Sequence, residues 1–553
     1  MSESNGQKLP PGWTEAKIED IFAPLDDGRT LHQGWSPQCE KTPSTSDAEW
    51  GVLKTTAIQA GSFLPEHNKR LPKGLTPRPQ IEVKPGDILI TCAGPRVRCG
   101  VACLVRSTRP RLMMSGKMYR FRAAKQIEPR FVETYLRTHW AAAAIDKMKT
   151  GGSDSGLNLT HDRFRLLPIP VAPLNEQRRI MDTLEELLSD LDAGVSALER
   201  VQQKLAHYRA AVLKAAVEGA LTAEWRKQHL NIEPASVLLT RILAERRRRW
   251  EQDQLRKFKA AGKEPPKNWK AKYKEPLAPN TTDLPSLPKG WCWVSLDQLT
   301  EESSIGIDRG LQYQTPSQPG SPYIKMNNVT MDGRVIADDL VYVRTTEDEQ
   351  KRYTLREGDL LFNTRNSKEL VGKVGLVRSI PTNAVYNNNL MRLRFPDGIS
   401  SRFVSFQMCS GNFRKRMEVV KRATTSVAAI YAKDLFPLQL ALPASDEQEA
   451  IVEAVEDQLS VIEHIESDVE AKLKTAQSLR QSILRHAFTG QLVPQDPNDE
   501  PASELLRRIA AERKERARQA IAAKRANKKP KRPRRAPAVP RKRKTTHGRI
   551  ANR

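Results

Sequence analysis

Short polar loops rich in Asn, Thr, Arg and Lys recur in both halves of this chain. NTRNSK (363–368) has no apolar side chain and follows the strand-like run GDLLF. Arg and Lys can bond guanine edges, Asn can bond adenine, and any cation can bond phosphate, so such loops suit a nucleic-acid surface. The candidates there are Arg365, Asn366 and Lys368, with Lys325, Asn327 and Asn328 after Tyr323-Ile324, Asn388 in an Asn run, and Lys421. In the first half they are Lys54 and Thr55, Arg96 and Arg98 in GPRVRC, Lys117 before MYRFR, and Lys149.

Other chemistry is thinly represented. Glu82-Val83-Lys84 has the carboxylate-x-lysine shape of many nucleases, but its counterpart Thr354-Leu355-Arg356 lacks the carboxylate. There is no GxxxxGK[ST] to cradle a nucleotide phosphate, and no Asn-Pro-Pro-Tyr/Phe stretch of the kind found in amino-methyltransferases. Cys92, Cys99 and Cys103 cluster without a CxxC pair, so they read as buried thiols and no metal is assigned. GGSDSG (151–156) reads as a loop, because it answers ATTSVAAI (423–430).

What positions these loops is a duplication. LPPGW (9–13) answers LPKGW (287–291), GDIL (86–89) answers GDLL (358–361), and CGVACLVR (99–106) answers VGKVGLVR (371–378). MYRFR answers LMRLR (390–394), Glu176-Gln177 answers Glu447-Gln448, and LKAAVEGAL (213–221) answers LRHAFTGQL (484–492). PASVLLTRILAER (234–246) and PASELLRRIAAER (501–513) close the two copies. The order is the same and the offset nearly constant. Short β-rich runs bounded by Gly, Pro and Asn, followed by helical stretches, predict an α+β head in each copy.

A long helix follows each head. Leu184, Leu191, Leu198, Leu205 and Val212 form an unbroken seven-residue ladder, with Ile180, Leu187, Val201 and Tyr208 on the companion ladder. The second copy carries Val455, Ile462, Val469 and Ile483, and Ile451, Ile465 and Leu479. Such a helix of about 40 residues is roughly 60 Å long. The expected organisation is a first head (1–173), a helical region (174–250), a solvated linker (251–286), a second head (287–443), a second helical region (444–513) and a basic disordered tail (514–553). Leu238, Leu239 and Ile242, and likewise Leu505, Leu506 and Ile509, form an apolar face predicted to pack on the paired helices or on a partner subunit.

The net charge is +26, but from Arg513 to Arg553 there are 18 Lys and Arg against one Glu, so the body is only moderately basic. A polyanionic partner is expected. No apolar run reaches the ~18 residues of a membrane span, and the start is unlike a signal peptide. A soluble, reducing compartment is expected.

The paired LPxGW starts, GDLLFNTRNSKELVGKVGLV (358–377), LLPIPVAPLNEQRRI (166–180) and LFPLQLALPASDEQEAI (435–451) resemble the specificity subunit of type I restriction–modification enzymes. That resemblance implies two target-recognition domains, each reading one part of a split site in double-stranded DNA. It implies two helical regions forming an antiparallel coiled coil with pseudo-two-fold symmetry. The chain would be noncatalytic and hold no cofactor. Modification subunits, two of them, would methylate adenine with S-adenosylmethionine, and restriction/translocase subunits would use ATP and Mg. The alternatives are a targeting subunit for a stand-alone adenine methyltransferase, and an autonomous nuclease.

Overall fold

The computed structural model describes residues 9–25, 27–317, 319–424 and 427–526. The chain forms two compact units. One takes the chain up to Val195 and again from Lys474, and the other is Ser196–Leu473. Each unit therefore holds one head and parts of both long helices, Leu174–Val217 and Ser445–Phe488.

The first head is built on a four-stranded antiparallel sheet in the order His32–Gln33, Met118–Phe121, Ile88–Thr91, Ala102–Leu104. A second sheet pairs Gly51–Leu53 with Leu112–Met113 in parallel and with Asn68–Arg70 antiparallel. The second head repeats the first sheet as Glu302–Ile305, Leu390–Arg394, Leu360–Asn363, Val374–Leu376. The register is also repeated. Leu89 sits opposite Arg120 and Leu361 opposite Arg392. Gly34 and Gly306 occupy one crossing, where an added Cβ would overlap the carbonyl oxygen of Ser115 or Tyr386.

The arginines of MYRFR and LMRLR belong to the interior. Arg122 Nε binds Asp87 at 2.6 Å, and Arg394 Nε binds Asp359 at 2.5 Å. Arg120 and Arg392 are buried and donate to backbone carbonyls and to the neighbouring carboxylates Asp87 and Glu302. Both lie on strands flanked on either side in their sheets, and loss of a carboxylate partner from such a buried cation is expensive.

The sequence motifs common to both copies hold each head to the helices. Trp13 Nε1 donates to Glu176 Oε1 at 3.0 Å, and Trp291 Nε1 donates to Glu447 Oε2 at 2.8 Å. Gln177 and Gln448 bridge the preceding loop to the head, accepting from the amides of Glu128 and Ser400. Each long helix ends in a left-handed glycine, Gly219 (φ +73) and Gly490 (φ +69), the usual αL stop. Pro288 packs on Gly219 and Pro10 on Gly490. Each head is thus clasped by the start of one long helix and the end of the other.

Inside each unit the helix segments run in opposite directions. Asp192 pairs with Arg480 in one unit, and Arg209 pairs with Glu466 at 2.9 Å in the other. The buried residues come mainly from one ladder: Leu184, Leu205 and Val212, and Val455, Ile462 and Val469. The companion ladder is open at Leu187, Val201, Tyr208, Ile465 and Leu479.

Three expectations are corrected here. The PAS…AER phrases begin helices Ala235–Ala260 and Ala502–Ala526, whose apolar faces pack on the heads. Leu238 and Ile242 join the core of the second head, and Ala502 and Ile509 that of the first. The face is the right one, but its partner is the globular body already present in the unit. The stretch 251–286 is tied down. Its helix continues to Ala260, Trp250 stacks on Trp269 at 5.9 Å, and Leu277 N donates to Asp297 at 2.9 Å. The start of the basic tail, 514–526, is helical, and the rest of it lies outside the described residues.

Among the described residues no helix is long and apolar enough to cross a membrane.

Candidate nucleic-acid interface

The predicted loops converge at one edge of each head. In the first head the loop after Leu53 meets the 95–100 loop through Arg98, and the 95–100 loop meets the 146–154 segment through Arg96. Cys92 N donates to Lys117 O at 2.9 Å, which adds the loop before Met118–Phe121. In the second head Thr364 N donates to Asn389 O at 2.8 Å, Arg365 is paired along the backbone with Ala429, and Asn387 N donates to Ile324 O. Strand order brings most of these loops together at the ends of the two sheets, and the 149–154 segment joins them from the end of the helix His139–Met148.

Several candidates prove to be committed to the fold. Arg98 donates to the carbonyls of Thr55 (2.5 Å) and Ile58 (2.7 Å) and to Gln59 Oε1 (3.3 Å). In the second head Lys373 does the same task from a different sequence position, donating to Met326 O and Val329 O, both at 2.5 Å. Burial holds its ammonium below the ordinary lysine pKa. Lys149 and Lys421 are a matched pair of staples. Lys149 Nζ donates to Arg96 O and Lys421 Nζ to Lys368 O, each at 2.9 Å, and each binds an acid one helical turn back, Asp146 or Glu418. Arg96 is divided between Asp146 (2.5 Å) and Asp154 (3.0 Å). Asn328 is buried, accepting from Lys325 N at 2.9 Å.

The remaining candidates are free to meet a ligand. Lys117, Arg365 and Lys368 are exposed, and Lys54 is half-buried at the strand end. None of the four forms an ion pair with a described residue. Thr55 is half-buried beside them and Asn327 is exposed. Asn366 donates to Asn363 Oδ1 at 3.0 Å, which aims the 365–368 turn. Asn388 is half-buried and accepts from Asn387 at 3.4 Å. Lys325 Nζ reaches Gln314 Oε1 at 3.2 Å, which draws in a loop that the sequence reading missed, Asp308–Thr315. Its signal was present: Leu311 and Tyr313 stand in an otherwise polar stretch.

Among the described residues, the groups that the sequence offered for catalysis have structural roles. Glu82 Oε1 accepts from Arg111 N at 2.5 Å, a contact that ties two separate segments of the head together. Burial pushes the thiols of Cys92 and Cys103 up to about 12, as expected of thiols packed in the core. Among the described residues no group of three His, Cys, Asp or Glu could hold a metal ion.

A family described as the type I restriction modification DNA specificity domain matches residues 10–200 and again 289–475. The chain belongs to that family. The two matches each take in one head and the first part of the helix that follows it, as the internal repeat does. Among curated relatives of this family, the EcoEI specificity subunit of Escherichia coli is 37% identical over 211 residues, 38% of this chain and 34% of that subunit. The EcoKI specificity subunit of Escherichia coli strain K12 is 26% identical over 521 residues, 92% of this chain and 96% of that subunit. The fold is that of a chain in a solved type I R-M system, with a TM-score of 0.56 at 18% identity, covering 88% of this chain and 100% of that one.

Proposed function

We propose that this chain is the noncatalytic DNA-specificity subunit of a type I restriction–modification assembly, and that each head reads one half of a bipartite duplex site. The observation that carries this reading is the duplicated edge, where several polar loops converge on each head and leave Lys54 and Lys117, or Arg365 and Lys368, without a carboxylate partner among the described residues. Such cations supply phosphate contacts, while Asn and Thr beside them reach base edges. The heads differ at these positions, so the two half-sites differ.

The long helices form an antiparallel coiled coil that sets the spacing of the half-sites. One ladder closes the helix pair, and the open ladder at Leu187, Val201, Tyr208, Ile465 and Leu479 is apolar surface for modification subunits, one per repeat. Those subunits carry S-adenosylmethionine and methylate adenine. Restriction subunits carry ATP and Mg. The assembly works in the cytoplasm of a prokaryote.

Replacing residues 9–173 with a different head tests the reading. Sequencing of methylated adenines in the host genome is expected to show one half of the motif changed and the other half kept. A change in both halves would refute modular reading.

A further inference from the structure

The loop Asp308–Thr315 exposes two large apolar side chains, Leu311 at 81% and Tyr313 at 63%. It is nevertheless held at its base. Arg309 makes a two-pronged contact with Glu349 at 2.7 and 2.8 Å. Gln314 Nε2 donates to Arg309 O at 2.7 Å, while its Oε1 accepts from Lys325. Beside it lies a cleft of about 410 Å³ whose lining includes Tyr313, Gln312, Tyr342 and Arg344. Arg344 is exposed and forms no ion pair with a described residue.

An apolar pair on a braced loop, flanked by cations and continuous with the 325–328 loop, has the composition of a base-contacting element. Aromatic rings stack on bases, and aliphatic wedges enter base steps or meet thymine methyls. Among the described residues, the corresponding loop of the first head exposes no such pair. The loop after Gly34 begins with Trp35, whose face is covered by Arg78 at 4.1 Å, and continues as SPQCEKTPSTSD (36–47).

We infer that Leu311 and Tyr313 contact bases in the half-site read by the second head, and are specificity-determining residues of that head alone. The inference rests on the DNA-reading function proposed above. The test is selection of bound duplexes from a randomised library by the full chain, compared with Y313A, L311A and Y313F. Both side chains are exposed, so the variants fold. Y313A and L311A are expected to bind the wild-type duplex about tenfold more weakly, with relaxed base preference in one half of the consensus. Y313F, which keeps the ring, is expected to keep most of the affinity. Unchanged affinity and consensus in both alanine variants, or equal loss of preference in both halves, would overturn the inference while leaving the parent reading intact. A wild-type chain that enriches no split consensus would overturn both.

Discussion

Arg98→Ala separates a reading role from a structural one. The guanidinium makes two good bonds to backbone carbonyls, at 2.5 and 2.7 Å, and is half-buried. A hydrogen bond to a charged group is worth about 1.5–3 kcal/mol, and partial exposure lowers that figure. The loss for the pair is therefore about 2 kcal/mol, felt locally at Thr55–Gln59. Amides there would open roughly 30-fold more often, which hydrogen exchange measures directly. The second head supplies its own rescue. Lys373 performs the same bonding from the position that answers Val101, so the double variant R98A/V101K is expected to recover at least half of the lost protection. If R98A left exchange unchanged yet abolished preference at one DNA half-site, the carbonyl clamp would be wrong and Arg98 would be a reader after all.

Three further outcomes follow from the packing. Ile509→Ala and Leu238→Ala each remove a buried aliphatic side chain that joins a closing helix to the core of a head, and should cost about 2–5 kcal/mol, seen as faster proteolysis after the corresponding long helix. Arg209→Ala breaks ion pairs to the partly exposed Glu466 and Glu463, so the lost charge interaction should lower stability by about 1 kcal/mol or less in thermal unfolding. Burial raises the Glu176 pKa, outweighing the Trp13 hydrogen bond that lowers it. The folded state therefore holds a proton the unfolded state has lost just above the ordinary Glu range, and stability falls as pH rises through the raised value. A pH series of unfolding midpoints for wild type and Glu176→Gln should show this slope in the wild type and its loss in the variant.

Much of this architecture was legible because a duplication writes the same constraint twice. Trp13 and Trp291, Glu176 and Glu447, and Gly219 and Gly490 appear in matched order, and each pair does one job. The loops were legible as groups, since strand-end polar residues recur at the same offset. Individual roles were not. Arg98 and Arg365 look equally available in sequence, and only burial distinguishes a clamp from a free cation. The closing helices showed an apolar face but not its partner, because periodicity reports that a face is buried and says nothing of what covers it. The 251–286 stretch misled through its composition. Its charge and proline content hid Trp250, Trp269 and Tyr273, three aromatics that fasten it.

The clasp has a consequence for synthesis. The second unit is one uninterrupted segment, Ser196–Leu473, so every residue of its core has left the ribosome before the chain is finished. The first unit cannot close at that stage. Its core needs Ala487, Phe488, Ala502 and Ile509, which are made last. The head translated first is therefore the last to be completed, and it waits with part of its apolar surface open while the other folds. A chain stopped after Leu473 would carry a finished second head and an unfinished first one, and recruitment of folding helpers should concentrate on the N-terminal head.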